Sequence, residues 1–362
     1  MKLPLVFATA ILLAACQHDT NPDLPAPGSV QHEIISAEAE AWLEQDDVPA
    51  LAVAYIVDGK IAWTDVYGAS GPGTPATQDT LFNIASMTKP ITAETILRLA
   101  SEGQASLEAP MSDVWTDPDI ADDPRHLALT PELALRHRTG FPNWRDGELT
   151  FKSNPDEKTA YSGEGYQYVA RYAEELSGQA FPDLAEREVF VPLGMTDATY
   201  VARPGDLPRI ARPKGPDGSW GDPVQRTQFN AADDVLVTIG DYAKFLVGVM
   251  ADEGISGDLA ASRFRIDDNL FASGCPWGPE TCPVEGGFGL GWTVFRYENE
   301  TVVMHGGGDW GERTIGFFVP ERQVGVIVFT NGANGSRSIS RVAEVLYPES
   351  DFLDFLAFQA SR

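Results

Sequence analysis

One Ser-x-x-Lys occurs in the chain, Ser86-Met87-Thr88-Lys89, and residue types at this spacing suit nucleophilic acyl transfer. Positions three apart in a helix share a face, so the Ser86 hydroxyl would meet the Lys89 amine. A serine hydroxyl attacks a carbonyl only with a base beside it. Lysine serves as that base only when burial or a neighbouring cation lowers its pKa toward working pH. The bland alternative is Ser86 as a helix N-cap and Lys89 as a solvated lysine. Tyr161-Ser162-Gly163 adds a phenol, and His305-Gly306-Gly307-Gly308 adds an imidazole followed by three glycines. A phenol normally titrates near 10, so Tyr161 acts as a base only if cations hold its phenolate. Glycines at a strand edge let a substrate come close to the backbone. There is no Gly-x-Ser-x-Gly elbow and no His/Cys/carboxylate spacing that suggests zinc. Neither a metal nor a cofactor is expected.

The elements around these residues follow from hydrophobic period and turn chemistry. Leu81, Phe82 and Ile84 lead into the Ser86 segment. Ile91, Thr95, Ile96 and Leu99 then recur at helical spacing until Gly103. Upstream, Val30 to Gln45 reads as an amphipathic helix and Ala50 to Val57 as a buried strand. Asp58-Gly59 makes a hairpin turn, and Lys60 to Tyr67 pairs back. Between Leu107 and Gly287 helical segments dominate, among them Tyr168 to Ser177 and Asp241 to Met250. Strands return at Gly289 to Arg296, Val302 to His305, Thr314 to Val319 and Val324 to Thr330, before a helix from Ser338 to Leu346. This order predicts an α+β fold, an antiparallel β-sheet flanked by helices with an inserted all-helical region. Sheet parts 30–85 and 288–348 would close one domain, 30–348, around an insertion at 107–287, leaving 349–362 as a tail. The boundary between the two parts is where a site is expected.

Composition excludes some function classes. The 362 residues carry 26 Lys and Arg against 53 Asp and Glu, a net charge of −27. Nucleic acid is therefore not an expected partner, nor is electrostatic docking on anionic lipid. Met1-Lys2, an apolar run from Leu3 to Leu13, and Ala14-Ala15-Cys16 lay out a signal peptide over 1–15, too short for a stable membrane span. The polar, proline-rich stretch 16–29 reads as a tether. Cys275 and Cys282 bracket GCPWGPETCP, and in an exported protein they read as a local disulfide stapling a surface loop.

With these pieces in order, the chain resembles the serine β-lactamase and penicillin-binding superfamily, in its class C-like branch. Ser86-x-x-Lys89 resembles the first motif, Leu129 to Pro142 (LTPELALRHRTGFP) the stretch between the first and second motifs, and Tyr161-Ser162-Gly163 the Tyr-x-Asn motif. Phe190 to Met195 and Phe288 to Trp292 resemble structural segments, and His305-x-Gly307 stands where Lys-Thr-Gly would. The resemblance implies that Ser86 forms an acyl-enzyme while Lys89 and Tyr161 share proton duty. It implies an oxyanion hole from the backbone N–H groups of Ser86 and Gly308, and substrate contacts at His305, Gly307 and Gly308; Trp310, two residues after Gly308, is expected to line the same cleft. His137 matches a family histidine read as structural. The ending Leu13-Ala14-Ala15-Cys16 resembles a bacterial lipobox with Cys16 lipidated, and Gln17 favours the periplasmic face of the outer membrane. The membrane partner is then a lipid anchor alone.

Two positions depart from the pattern. Gly163 replaces an asparagine that is implied to bind a substrate amide, and His305 replaces a lysine. A histidine can be neutral or charged near pH 7. A site lacking a hydrogen-bonding group discriminates less well for substrates that need it. The expected activity is therefore acyl-enzyme hydrolysis of a small ester or a D-amino-acid peptide in the cell envelope. The alternatives are a class C-like β-lactamase or DD-carboxypeptidase, and a penicillin-binding or interaction protein that does not turn over.

Overall fold

The computed structural model describes residues 26–362. The leader and Cys16 lie outside the described residues. An eight-stranded antiparallel sheet forms the centre, in the order β3-β2-β1-β10-β9-β8-β7-β6. Its strands are β1 (Ala50–Val57), β2 (Lys60–Gly71), β3 (Thr74–Pro75), β6 (Glu285–Phe288), β7 (Thr293–Arg296), β8 (Thr301–Gly308), β9 (Arg313–Val319) and β10 (Val324–Thr330). Two short strands, β4 (Phe82–Asn83) and β5 (Leu236–Val237), pair separately. The early and late halves of the chain meet at β1 and β10, where Leu51 faces Thr330 and Ile56 faces Gly325.

Side chains alternate across a strand, and β1 shows why this sheet needs cover on both faces. Ala50, Ala52, Ala54 and Ile56 enter one core, and Leu51, Val53 and Tyr55 enter the other. One face packs against α1 (Ser29–Asp46), α8 (Gly335–Leu346) and α9 (Phe352–Ala360) through Ile35, Ala39, Ile339, Val342 and Phe352. The other carries the helical region: α2 (Thr88–Ser101), α3 (Pro131–Leu135), α4 (Gly163–Ser177), α5 (Phe181–Ala185), α6 (Ile239–Met250) and α7 (Gly257–Arg263). Every residue of α2 from Thr88 to Leu99 is buried, as expected of a helix enclosed on all sides.

Several expectations change. The stretch 349–362 is not a free tail, because Phe352 and Leu356 bury an apolar stripe that folds it into α9. Of the strand expected from Gly289 to Arg296 only Thr293–Arg296 forms, as β7; Gly289 to Trp292 make the turn that joins it to β6, with the Gly289 N–H donating to the Trp292 carbonyl. Helix α4 begins at Gly163, five residues earlier than its apolar period suggests. Ser162 caps it by accepting from the Gly165 N–H at 3.0 Å. Cys275 is bonded to Cys282. Among the described residues no helix is long and apolar enough to cross a membrane.

Candidate active site

Ser86 lies in a single 3-10 turn, Ala85–Met87, which joins β4 to α2. Ala85 takes a left-handed φ of 47°, unfavourable for a residue with a Cβ. The Asn83 side chain holds it there by accepting from the Ala85 N–H at 2.9 Å. From the far side β8 closes in. A Cβ at Gly307 would lie 2.2 Å from the Ile84 carbonyl oxygen, so only glycine lets the strand pass this close to the Ser86 segment. Thr314 on β9 donates to the same carbonyl at 2.9 Å.

Lys89 Nζ lies 2.9 Å from Ser86 Oγ and donates to the Ala232 carbonyl at 2.8 Å. Its side chain is wholly buried, and the loss of solvation lowers its pKa to about 7, against the attraction of Asp233. The amine rests over the Tyr161 ring at 4.7 Å. Burial raises the Tyr161 phenol well above 10, with its hydrogen bond to the Ser86 side chain acting in the opposite direction. At neutral pH the phenol therefore carries its proton, while an appreciable share of Lys89 is neutral.

The Tyr161 segment is mounted by groups whose role is positional. His137, itself at φ 59° and buried, accepts from the Ser162 N–H through Nδ1 at 3.0 Å. Its ring lies against Tyr161, Tyr166 and Phe288 at centroid distances of 4.4, 5.2 and 4.7 Å. Ser162 donates to the Pro142 carbonyl at 2.8 Å.

His305 does not present a cation. It is buried, and loss of solvation, reinforced by Lys89, lowers its pKa to about 3. Nδ1 lies 2.7 Å from the Gly306 carbonyl, which can only accept, so the proton sits on Nδ1. Nε2 is then a bare acceptor, buried and without a protein partner among the described residues. Ser86, Tyr161, Phe288, His305, Gly307 and Gly308 line one cavity of about 840 Å³. Its wall continues past Arg313 and Arg337 to the end of α9, where Gln359 to Arg362 contribute. Trp310 is not part of that lining: its indole fills the space beside Gly215 and Gly221, and Pro216 of that loop lines the cavity instead.

The segment Ala231–Asp234 is part of this site and was not among the residues expected from the sequence. Its carbonyls receive the Lys89 amine and, at 2.6 Å, the Thr92 hydroxyl. Asp233, Asp234 and Asp309 bring carboxylate oxygens within 4.8 Å of one another. Burial and the neighbouring Asp234 raise Asp233 to about 7, and burial with Asp309 raises Glu312 likewise to about 7. A backbone carbonyl leaves no trace in residue type, so Ala232 had no signal to find. The doublet Asp233-Asp234 carries no spacing signal that ties it to Ser86 or Lys89.

The model of the family described as Beta-lactamase matches residues 35–346. The chain belongs to the Beta-lactamase family. Within this family it is 24% identical to "Unguisins hydrolase ungD" of Aspergillus violaceofuscus, over 86% of this chain and 62% of that protein. It is 23% identical to "Penicillin-binding protein 4" of Amycolatopsis lactamdurans, over 81% of this chain and 83% of that protein. An esterase and a D-aminopeptidase also match. The fold superposes on "D-alanine Carboxypeptidase AmpC" from Burkholderia cenocepacia with a TM-score of 0.71 at 18% identity, over 88% of this chain and 99% of that one. Most of these relatives are longer than the chain, which spans 62% of the first, 41% of the esterase and 57% of the D-aminopeptidase.

Proposed function

We propose that the chain hydrolyses a small ester or a D-amino-acid peptide through an acyl-enzyme on Ser86. The observation that carries this reading is the 2.9 Å contact of Ser86 Oγ with a buried lysine whose pKa has fallen to about 7. Neutral Lys89 accepts the Ser86 proton as the hydroxyl attacks the carbonyl carbon. The backbone N–H groups of Ser86 and Gly308 receive the developing oxyanion, each such donor contributing ~3 kcal/mol in comparable sites. Tyr161, held in its protonated form, gives its proton to the leaving group and is reprotonated through Lys89. Water then attacks the acyl carbonyl carbon and gives its proton to Lys89, the bond to the Ser86 oxygen breaks, and Lys89 returns the proton to that oxygen.

His305 as a neutral acceptor supports esters and amine- or amide-bearing substrates over free carboxylates, for which a cation would be the better partner. That argues against a DD-carboxypeptidase. Cys16 and the apolar run before it support placement in a bacterial cell envelope on a lipid anchor, and the net charge of −27 supports the absence of a nucleic-acid partner.

The test is hydrolysis of p-nitrophenyl acetate and butyrate by wild type and Ser86→Ala, with intact mass after exposure to a penicillin. Serine-dependent ester turnover without a lasting adduct is expected. Equal turnover in Ser86→Ala would overturn the reading, and a stable penicilloyl adduct would favour a penicillin-binding role instead.

A further inference from the structure

We propose that Trp144 determines which acyl groups the Ser86 site accepts, by filling the space that a side chain at position 163 would occupy. The proposal rests on the reading of Ser86 as nucleophile. A Cβ built on Gly163 would lie 2.7 Å from two atoms at the far edge of the Trp144 indole, and 3.0 Å from the Asn143 carbonyl oxygen. The same indole has its centroid 5.9 Å from Lys89 Nζ. One aromatic side chain thus occupies the position 163 space and reaches the general base behind Ser86.

The placement is built, not incidental. Asn143 accepts from the Gly163 N–H through its side chain at 2.9 Å and from the Glu164 N–H through its carbonyl at 3.0 Å. Arg145, on the other side of Trp144, pairs with Glu164 at 2.8 Å, Asp117 at 3.0 Å and Asp119 at 3.2 Å. The two neighbours of Trp144 are therefore clamped to the start of α4 and to the 3-10 turn at Asp117 to Ile120. Trp144 is 42% exposed, a large apolar surface beside Lys89 that opens on a hollow of its own lined by Pro142, Asp146 and Lys152, next to the cavity that holds Ser86. An exposed indole usually gains by covering apolar surface. Clamped where it is, it can gain that cover from a bound acyl chain.

The consequence is a change in the kind of recognition. Where a polar side chain at 163 would hydrogen-bond an amide on the acyl portion, position 163 here has no side chain to donate and the edge of an indole stands in its place. The substrate class is then esters or amides of aryl- or alkyl-bearing acyl groups, and acyl chains with a side-chain amide lose their partner. Gly163 and Trp144 form one unit, because an asparagine at 163 fits only if the indole leaves.

The experiment compares p-nitrophenyl phenylacetate with p-nitrophenyl acetate for the full chain, Trp144→Ala, Trp144→Phe and Ser86→Ala. The phenylacetate-to-acetate ratio of kcat/KM is expected to fall at least tenfold in Trp144→Ala and by a smaller factor in Trp144→Phe, which keeps a ring should the alanine variant not fold. A ratio within twofold of wild type in the folded variants, with acetate hydrolysis still dependent on Ser86, overturns the proposal. Acetate hydrolysis that survives Ser86→Ala overturns the nucleophile reading instead. In a second arm, ampicillin acylation is followed by intact mass in Gly163→Asn and in Gly163→Asn combined with Trp144→Ala. The double variant is expected to acylate at least tenfold faster than the single, and equal rates count against the shared space.

Discussion

The cleft has two unlike sides. The helical side, built from α2 and the start of α4, places Ser86, Lys89 and Tyr161 in a dry setting where proton affinities are moved far from their values in water. The strand side, β8 from His305 to Gly308, offers backbone groups and one neutral imidazole. The helical side retains what acyl transfer needs. The strand side and Gly163 carry the departures from the family pattern, and in the proposed mechanism those positions meet substrate rather than the transferred proton. A family can therefore keep one reaction while changing what it accepts, provided the changes fall on groups that do not shuttle the proton.

The largest expected effect lies on the helical side. Ser86→Ala should lower ester kcat/KM by at least ~10³, since an activated nucleophile is lost outright. Retention of a tenth of the rate would dissolve the contrast between the two sides. Next is the strand side, through its closest approach. Gly307→Ala puts a methyl group 2.2 Å from the Ile84 carbonyl and displaces the turn that bears Ser86. Misplacement of about 1 Å costs on the order of 10²-fold, so kcat should drop by that amount while circular dichroism shows a folded chain.

A third prediction concerns the mount behind Tyr161. His137→Ala leaves the buried Ser162 N–H without its acceptor and should lower stability by about 1–3 kcal/mol, read from urea denaturation. The smallest effect is a shift of pH profile. Lys89 is a base only when deprotonated, so kcat/KM should rise with pH through about 7 and then level off. Asp233 holds the Lys89 pKa up, so Asp233→Asn should move that midpoint to lower pH. His305 is already neutral above about 3, so His305→Gln should change KM and leave the midpoint where it is. A midpoint that follows the His305 substitution would place proton chemistry on the strand side after all.

What the sequence disclosed followed the same division. The sheet and its helical insertion were legible because apolar period and turn residues are local signals, as in β1 and the Asp58-Gly59 hairpin. The Ser86 and Lys89 pair was legible because helical spacing is a fixed ruler. The role of Ala232 was not, since it acts through a carbonyl any residue would supply. The relation of Trp144 to Gly163 was hidden because 19 positions of chain separate two residues that share one volume. Trp310 was expected in the cleft from its nearness to Gly308, but the turn after β8 carries it toward Gly215 and Gly221. Sequence adjacency fixes the backbone's path and leaves the direction of a side chain open.

Helix α9 has a practical side. The end of the helix and the two residues after it, Gln359 to Arg362, share a cavity wall with Ser86 and Gly308. Anything fused after Arg362, such as a purification tag or a reporter, starts from the rim of the cleft and competes with bulky substrates for entry while sparing small ones. Rates measured on such a fusion would report a narrower substrate range than the chain itself has.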